Sequence, residues 1–181
     1  MLVLGIDPGK TTGVCMLRVG ETLEVVMAEQ IPWETRKEDL WALFTATFRE
    51  GLSVPLYTVV ENFRLRPGRA MEQVGSTFPS VEVIGLIEAF QFVTKNYFRL
   101  VYQEPAIISR VQILPEHASC FVGKPHAADA YRHARFFCVT SVIGFSGVLT
   151  QGGSKGIHVD LSKVDNDDRE SDSWAEVHGY E

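Results

Sequence analysis

Cysteine is scarce in this chain of 181 residues: only Cys15, Cys120 and Cys138 occur. They are odd in number, widely spaced and form no CxxC pair, which argues against a disulfide framework and against a cysteine-built zinc site. Reduced thiols in a cytoplasmic compartment are the expectation, with an organelle as the alternative. No apolar run approaches the ~20 residues a membrane span needs, so no membrane association is expected. The N-terminus lacks a basic segment followed by an apolar core, so a signal peptide is not expected either. No internal repeat occurs. Net basic charge is missing too. The formal charge is -6, and the stretch 159–181 accounts for it, with eight acids (Asp160, Asp165, Asp167, Asp168, Glu170, Asp172, Glu176, Glu181) against Lys163 and Arg169. The remaining body is neutral, which still permits a local patch to bind a polyanion.

What is present is an ordinary globular composition, 45% hydrophobic and 22% charged. One domain with one core is the simplest organisation at this length. It is expected over residues 1–158, with 159–181 as an acidic tail that has little to bury and is expected to be disordered. Gln151-Gly152-Gly153-Ser154-Lys155-Gly156 reads as a flexible linker.

The chain opens on Leu2-Val3-Leu4-Gly5-Ile6-Asp7-Pro8-Gly9. An apolar run bounded by turn residues predicts a buried strand, and a lone carboxylate at its end needs something to pair with. Further strands are expected over 13–19 and 22–31, giving a three-stranded antiparallel meander. A helix over 34–50 carries Leu40, Leu43, Phe44 and Phe48 on one face. Leu56-Tyr57-Thr58-Val59-Val60-Glu61 repeats the first design, an apolar strand closing on one acid. After a helical crossover it would lie parallel to the first strand and bring Glu61 to the sheet edge that holds Asp7, where α/β sheets form sites.

A loop with Phe63, Arg64, Arg66 and Arg69 follows. Arginines beside an acidic site suit phosphate contacts, and Phe63 could stack on a base. A helix is expected over 76–95, with Glu88 on its solvated face. A fifth strand over 98–102, a short helix over 105–114 and a loop over 115–123 come next. Lys124-Pro125-His126-Ala127-Ala128-Asp129-Ala130 then opens a helix that runs to about residue 139. Ala127, Ala130, Ala134 and Phe137 form its packing face. His126 and Asp129, three apart, share another face with Arg132 and His133; His133 is expected at the surface. Lys124 is counted with the loop residues as a nucleic-acid contact.

Three elements thus offer Asp7, Glu61, His126 and Asp129. Mg²⁺ takes carboxylate oxygens, imidazole is better tolerated by Mn²⁺, and two such ions ~4 Å apart can hold both the attacking and the leaving oxygen of a phosphodiester. Singly, each residue has an ordinary explanation: Asp7 as a turn residue, Glu61 as a partner of Arg64 or Arg66, Asp129 as a helix-face charge near Arg132. The string Gly5-Ile6-Asp7-Pro8-Gly9-Lys10-Thr11 is not a phosphate-binding loop, because only three residues separate its glycines and an acid sits among them.

Leu4-Gly5-Ile6-Asp7-Pro8-Gly9 with Thr12-Gly13 resembles the first motif of the RuvC family of Holliday-junction resolvases. Val59-Val60-Glu61 is similar to its second motif, and His126-Ala127-Ala128-Asp129-Ala130 to its third. Gly85-Leu86-Ile87-Glu88-Ala89 resembles the helix after the second motif, so the likeness spans about residues 1–140. It implies an α/β, ribonuclease H-like fold: a mixed five-stranded sheet, meander plus parallel strands, flanked by helices. It also implies an endonuclease that uses two Mg²⁺ ions, with Mn²⁺ also effective, held by Asp7, Glu61, His126 and Asp129. Cleavage would leave a 5′-phosphate and a 3′-hydroxyl, in a homodimer acting on four-way DNA junctions. The chain departs from the family in its neutral body, its acidic tail and the loop after Glu61, a divergence that would suit a bacteriophage or organelle enzyme. Related nucleases acting on other branched DNA or on RNA precursors, an ATP-binding module of the actin and sugar-kinase kind, and a non-catalytic junction binder are the alternatives. For the ATP module, no second acid-glycine phosphate motif is found.

Overall fold

The computed structural model describes residues 1–51, 56–62, 78–94 and 98–141. The loop from Phe63 to Arg69, the linker and the acidic tail, with the boundary expected at 158/159, lie outside the described residues. Five strands form one sheet: β1 (Leu2–Asp7), β2 (Thr11–Val19), β3 (Leu23–Pro32), β4 (Leu56–Glu61) and β5 (Arg99–Gln103). Among the described residues three α-helices accompany them: α1 (Trp33–Gly51), α2 (Pro79–Val93) and α3 (Pro125–Ser141). The strand order is β3-β2-β1-β4-β5. β1, β2 and β3 pair antiparallel as a meander, and β4 and β5 join parallel to β1 and to each other. That order and those directions, with helices on both faces, make the fold ribonuclease H-like, as expected.

The unbroken apolar sequence of β1 follows from its central place, because a strand covered on both faces has no solvent side to mark with polar residues. Its alternate residues feed two cores. Leu2, Leu4 and Ile6 point to one face, where they pack with Trp33, Leu40 and Phe44 of α1 and Val83, Ile87 and Phe90 of α2. Val3 points to the other face and packs with Cys15, Leu17 and Val59 beneath Ala127, Ala130, Tyr131 and Ala134 of α3. Phe44, Phe90 and Phe98 meet with ring centroids 5.3 to 6.1 Å apart. The Trp33 indole donates to Glu82 at 2.7 Å and ties the start of α1 to α2.

Three local expectations change. β2 begins at Thr11, so Gly13 lies inside a strand and pairs with Asp7. The short helix expected over 105–114 is a 3-10 helix confined to Pro105–Arg110. The loop expected over 115–123 contains a second 3-10 helix, Pro115–Phe121. Each of these turns starts on a proline, whose fixed φ suits a helical first turn, and each is too short for periodicity to reveal. Among the described residues no helix is long and apolar enough to cross a membrane.

Candidate active site

The parallel register of β1 and β4 sets the acidic edge. Ile6 pairs with Val60, so Asp7 and Glu61 are the next residues outward on neighbouring strands, both at carboxyl ends. Burial pushes the Asp7 carboxyl above its ordinary range; the hydrogen bond from His126 opposes this, while the charges of Glu61 and Asp129 reinforce it.

α3 reaches this edge because two glycines let it. A Cβ on Gly13 would stand 2.0 Å from the His126 carbonyl oxygen, and one on Gly5 would stand 2.1 Å from that of Ala130. Real side chains cannot occupy that space, so Gly5 and Gly13 are needed at the two points where the α3 backbone comes nearest the sheet. Ala127, Ala130 and Ala134, all buried, complete the close approach from the helix side. The first turn is anchored laterally. The Gln30 side-chain oxygen accepts the His126 backbone N–H at 2.9 Å, satisfying one of the donors a helix start leaves free. The Lys124 ammonium donates to the Ala28 carbonyl at 2.6 Å and reaches Glu29 at 3.3 Å.

Each carboxylate then meets one basic side chain of α3. His126 Nδ1 lies 2.9 Å from Asp7 Oδ2. The Arg132 guanidinium donates to Asp129 Oδ1. His133 Nε2 lies 3.0 Å from Glu61 Oε2, and its Nδ1 lies 3.0 Å from Gln103 Oε1. With Asp7 ionised, His126 Nδ1 must carry the proton, which in the neutral ring leaves the Nε2 lone pair for another partner. The donor set suits a hard divalent cation: carboxylate oxygens, with one acid that burial and like charge hold back from ionising. Each acid commits one oxygen to these contacts and has a second. Among the described residues, however, no three His, Cys, Asp or Glu side chains form a ready-made cage. Loading would therefore require the ion to draw the acids together.

Of the residues singled out in the sequence, Asp7 and Glu61 end adjacent parallel strands, His126 lies against Asp7, and Asp129 sits near the start of α3, paired with Arg132. Lys124 is held against β3, while Phe63, Arg64, Arg66 and Arg69 lie outside the described residues. The backbone leaves the edge toward that loop through Asn62, whose N–H donates to the Gln103 carbonyl at 2.7 Å. Glu88 accepts from the Tyr102 hydroxyl at 2.6 Å on an exposed face and lines a hollow with Asn62, Val81, Ile84 and Tyr102. His133 corrects the sequence expectation: it has no exposed surface. The signal for it was its spacing, seven residues after His126 and four after Asp129, which puts it on the same helical face. A cavity of about 580 Å³ lined by Tyr57, Arg99 and Phe137 contains none of these acids.

Fold and site together define a ribonuclease H-like α/β domain with a carboxylate cluster at the carboxyl edge of its parallel strands. No protein-family model matches the chain, and no curated protein does. Among solved structures it is similar to T. thermophilus RuvC in complex with a Holliday junction substrate, at 19% identity and a TM-score of 0.47, covering 74% of this chain and 90% of that one. It is also similar to the Fowlpox virus resolvase in its complex with Holliday junction DNA, at 12% identity and a TM-score of 0.45, covering 75% of this chain and 97% of that one.

Proposed function

We propose that the protein is a divalent-metal-dependent endonuclease for branched DNA, with the four-way junction as its substrate. The observation that carries this is the pair Asp7 and Glu61 at the carboxyl ends of adjacent parallel strands, with His126 of α3 against Asp7. An edge suits a polymer backbone better than an enclosed pocket would. The order of the three sequence motifs along the chain supports the same reading.

Asp7, Glu61, Asp129 and His126 would hold the metal, two Mg²⁺ ions or Mn²⁺ in their place. When bound, such ions activate the attacking water and neutralise charge on the departing oxygen. Asp7, on the central strand, would be the acid that serves both ions. The protein's own contribution is to bring the acids to one sheet edge, from which an ion can draw them together, and to steer the backbone. Phe63, Arg64, Arg66 and Arg69 follow Glu61 directly in the chain and would contact phosphate and base. Lys124 would join them only by leaving Ala28 and Glu29. Hydrolysis leaves a 5′-phosphate and a 3′-hydroxyl.

A homodimer would present two such edges to the arms of a junction. α2 offers a face for it: Val81, Phe92 and Val93 are exposed apolar residues. Gly85 and Ala89 on the same helix are also exposed, and Gly85 has open space around it, so a second helix could approach closely.

The test is side-by-side digestion of a synthetic four-way junction, a flap, single-stranded DNA and structured RNA in Mg²⁺, with Asp7→Asn as control. Wild type should cut the junction in preference to the rest, and Asp7→Asn should not cut. Inert wild type, or an equally active variant, overturns the proposal; preference for RNA moves the substrate and leaves the chemistry.

A further inference from the structure

His133 lies within α3 with no exposed surface. A buried imidazole persists in a fold when its ring nitrogens find partners, and both do here. Nε2 sits 3.0 Å from Glu61 Oε2, and Nδ1 sits 3.0 Å from Oε1 of Gln103, the last residue of β5 and itself buried. A carboxylate oxygen only accepts, so with Glu61 ionised Nε2 carries a proton and donates; Nδ1 of the neutral ring then accepts, from the Gln103 amide turned so that its NH2 group rather than its oxygen faces the ring. The result is a line of hydrogen bonds from the acidic edge into the core: Glu61 at the end of β4, His133 on α3, Gln103 at the end of β5.

Glutamate reaches its site through more rotatable bonds than aspartate and is the most easily misplaced of the three acids. Left free, it would lose rotamer freedom on taking a ligand. The histidine holds Oε2 in advance, leaving Oε1 as the oxygen free to take a ligand. We infer that His133 is a positioning residue for Glu61, fixing which oxygen of that carboxylate is offered to a divalent cation. This rests on the reading of Glu61 as a metal-holding residue. Partners that orient metal ligands usually matter by about 10–100-fold in affinity, and the same scale is expected here, with the usual roles reversed: the imidazole orients the carboxylate.

The experiment is Mn²⁺ binding to the full, DNA-free chain, followed by electron paramagnetic resonance of free Mn²⁺. Two substitutions divide the ring between them. His133→Gln puts an amide N–H near the former Nε2 and keeps the donor toward Glu61. His133→Asn puts its amide near the former Nδ1 and loses Glu61. His133→Asn should weaken Mn²⁺ binding about 10–100-fold, and His133→Gln should recover most of that loss. A histidine that merely fills the core would alter the melting temperature in both variants and leave Mn²⁺ affinity unchanged in both, which overturns the inference. Should His133→Asn fail to fold, Gln103→Leu decides: it leaves the ring free to turn, and unchanged Mn²⁺ affinity overturns the inference equally. Asp7→Asn separates this from the parent reading. Wild type that binds no Mn²⁺, or Asp7→Asn that binds it like wild type, removes the metal site itself. Mn²⁺ binding that depends on Asp7 but not on His133 removes only the role of His133.

Discussion

Asp7 is poorly placed for stability. Its side chain is only 14% exposed, and burial, then the charges of Glu61 and Asp129, raise its carboxyl above the ordinary range despite the His126 bond. The folded state therefore holds the Asp7 proton more tightly than the unfolded chain does. The stability linked to that proton is present below the ordinary carboxylate value, 3.8, and is lost as pH rises through the elevated folded value. Above that value the metal-free protein carries an ionised, crowded acid, a common trade of stability for function. Asp7→Asn keeps an acceptor for His126 and removes the charge. It should raise the melting temperature of the metal-free chain at pH 7, by ~2–4 °C for each kcal/mol recovered, with the gain shrinking toward pH 4. Calorimetry across that range checks it; a lower melting temperature at pH 7 contradicts it. The acids and His126 were legible in the sequence because each closes a strand or opens a helix beside turn residues. His133 was not. Its spacing matched the active face, but its burial depends on Glu61 and Gln103, which come from distant strands.

At the scale of elements, the decisive contact is α3 lying directly on β1 and β2. Gly5 and Gly13 allow it, and Gln30 and Ala28 hold its first turn. Gly13→Ala should cost about 1–3 kcal/mol, as overpacking does, and should weaken Mn²⁺ binding and cleavage because His126 and Asp129 move with the helix. Gly20→Ala, at a glycine with open space around it, is the control and should change little. Denaturant unfolding with a parallel cleavage assay measures both; Gly13→Ala indistinguishable from wild type contradicts the account. The sequence made the strands and helices readable through apolar runs and 3.6-residue periodicity, and the Ala127, Ala130, Ala134 stripe pointed to tight packing. It put Gly13 at the start of a strand and gave no reason for a glycine there, because the reason is a helix more than a hundred residues away. The 3-10 helices at Pro105 and Pro115 escaped for a different reason: one or two turns carry too little periodicity to distinguish them from loops.

For the whole molecule, the topology followed from the order of elements: a meander, a helix, then parallel strands. The exposed apolar face of α2 is what a monomer has least reason to keep. Phe92→Glu, at a residue 84% exposed, should leave the melting temperature nearly unchanged and shift the protein from dimer to monomer in sedimentation velocity. A wild-type monomer, or a variant that still dimerises, argues against that face. The acidic tail, which carries the chain's net charge, should compete with DNA for the arginine loop. Ending the chain after Ser162 should then tighten junction binding, most visibly at low salt, and unchanged affinity would remove that role. We propose the carboxyl edge of β1 and β4 as a divalent-metal site. Its most direct measurement is a crystal structure of the full chain with Mn²⁺, located by anomalous scattering. The expected result is Mn²⁺ at that edge with Asp7, Glu61, Asp129 and His126 as its protein ligands. An edge free of anomalous signal in Mn²⁺-saturated crystals, or Mn²⁺ held elsewhere while these four side chains keep their metal-free partners, would contradict it.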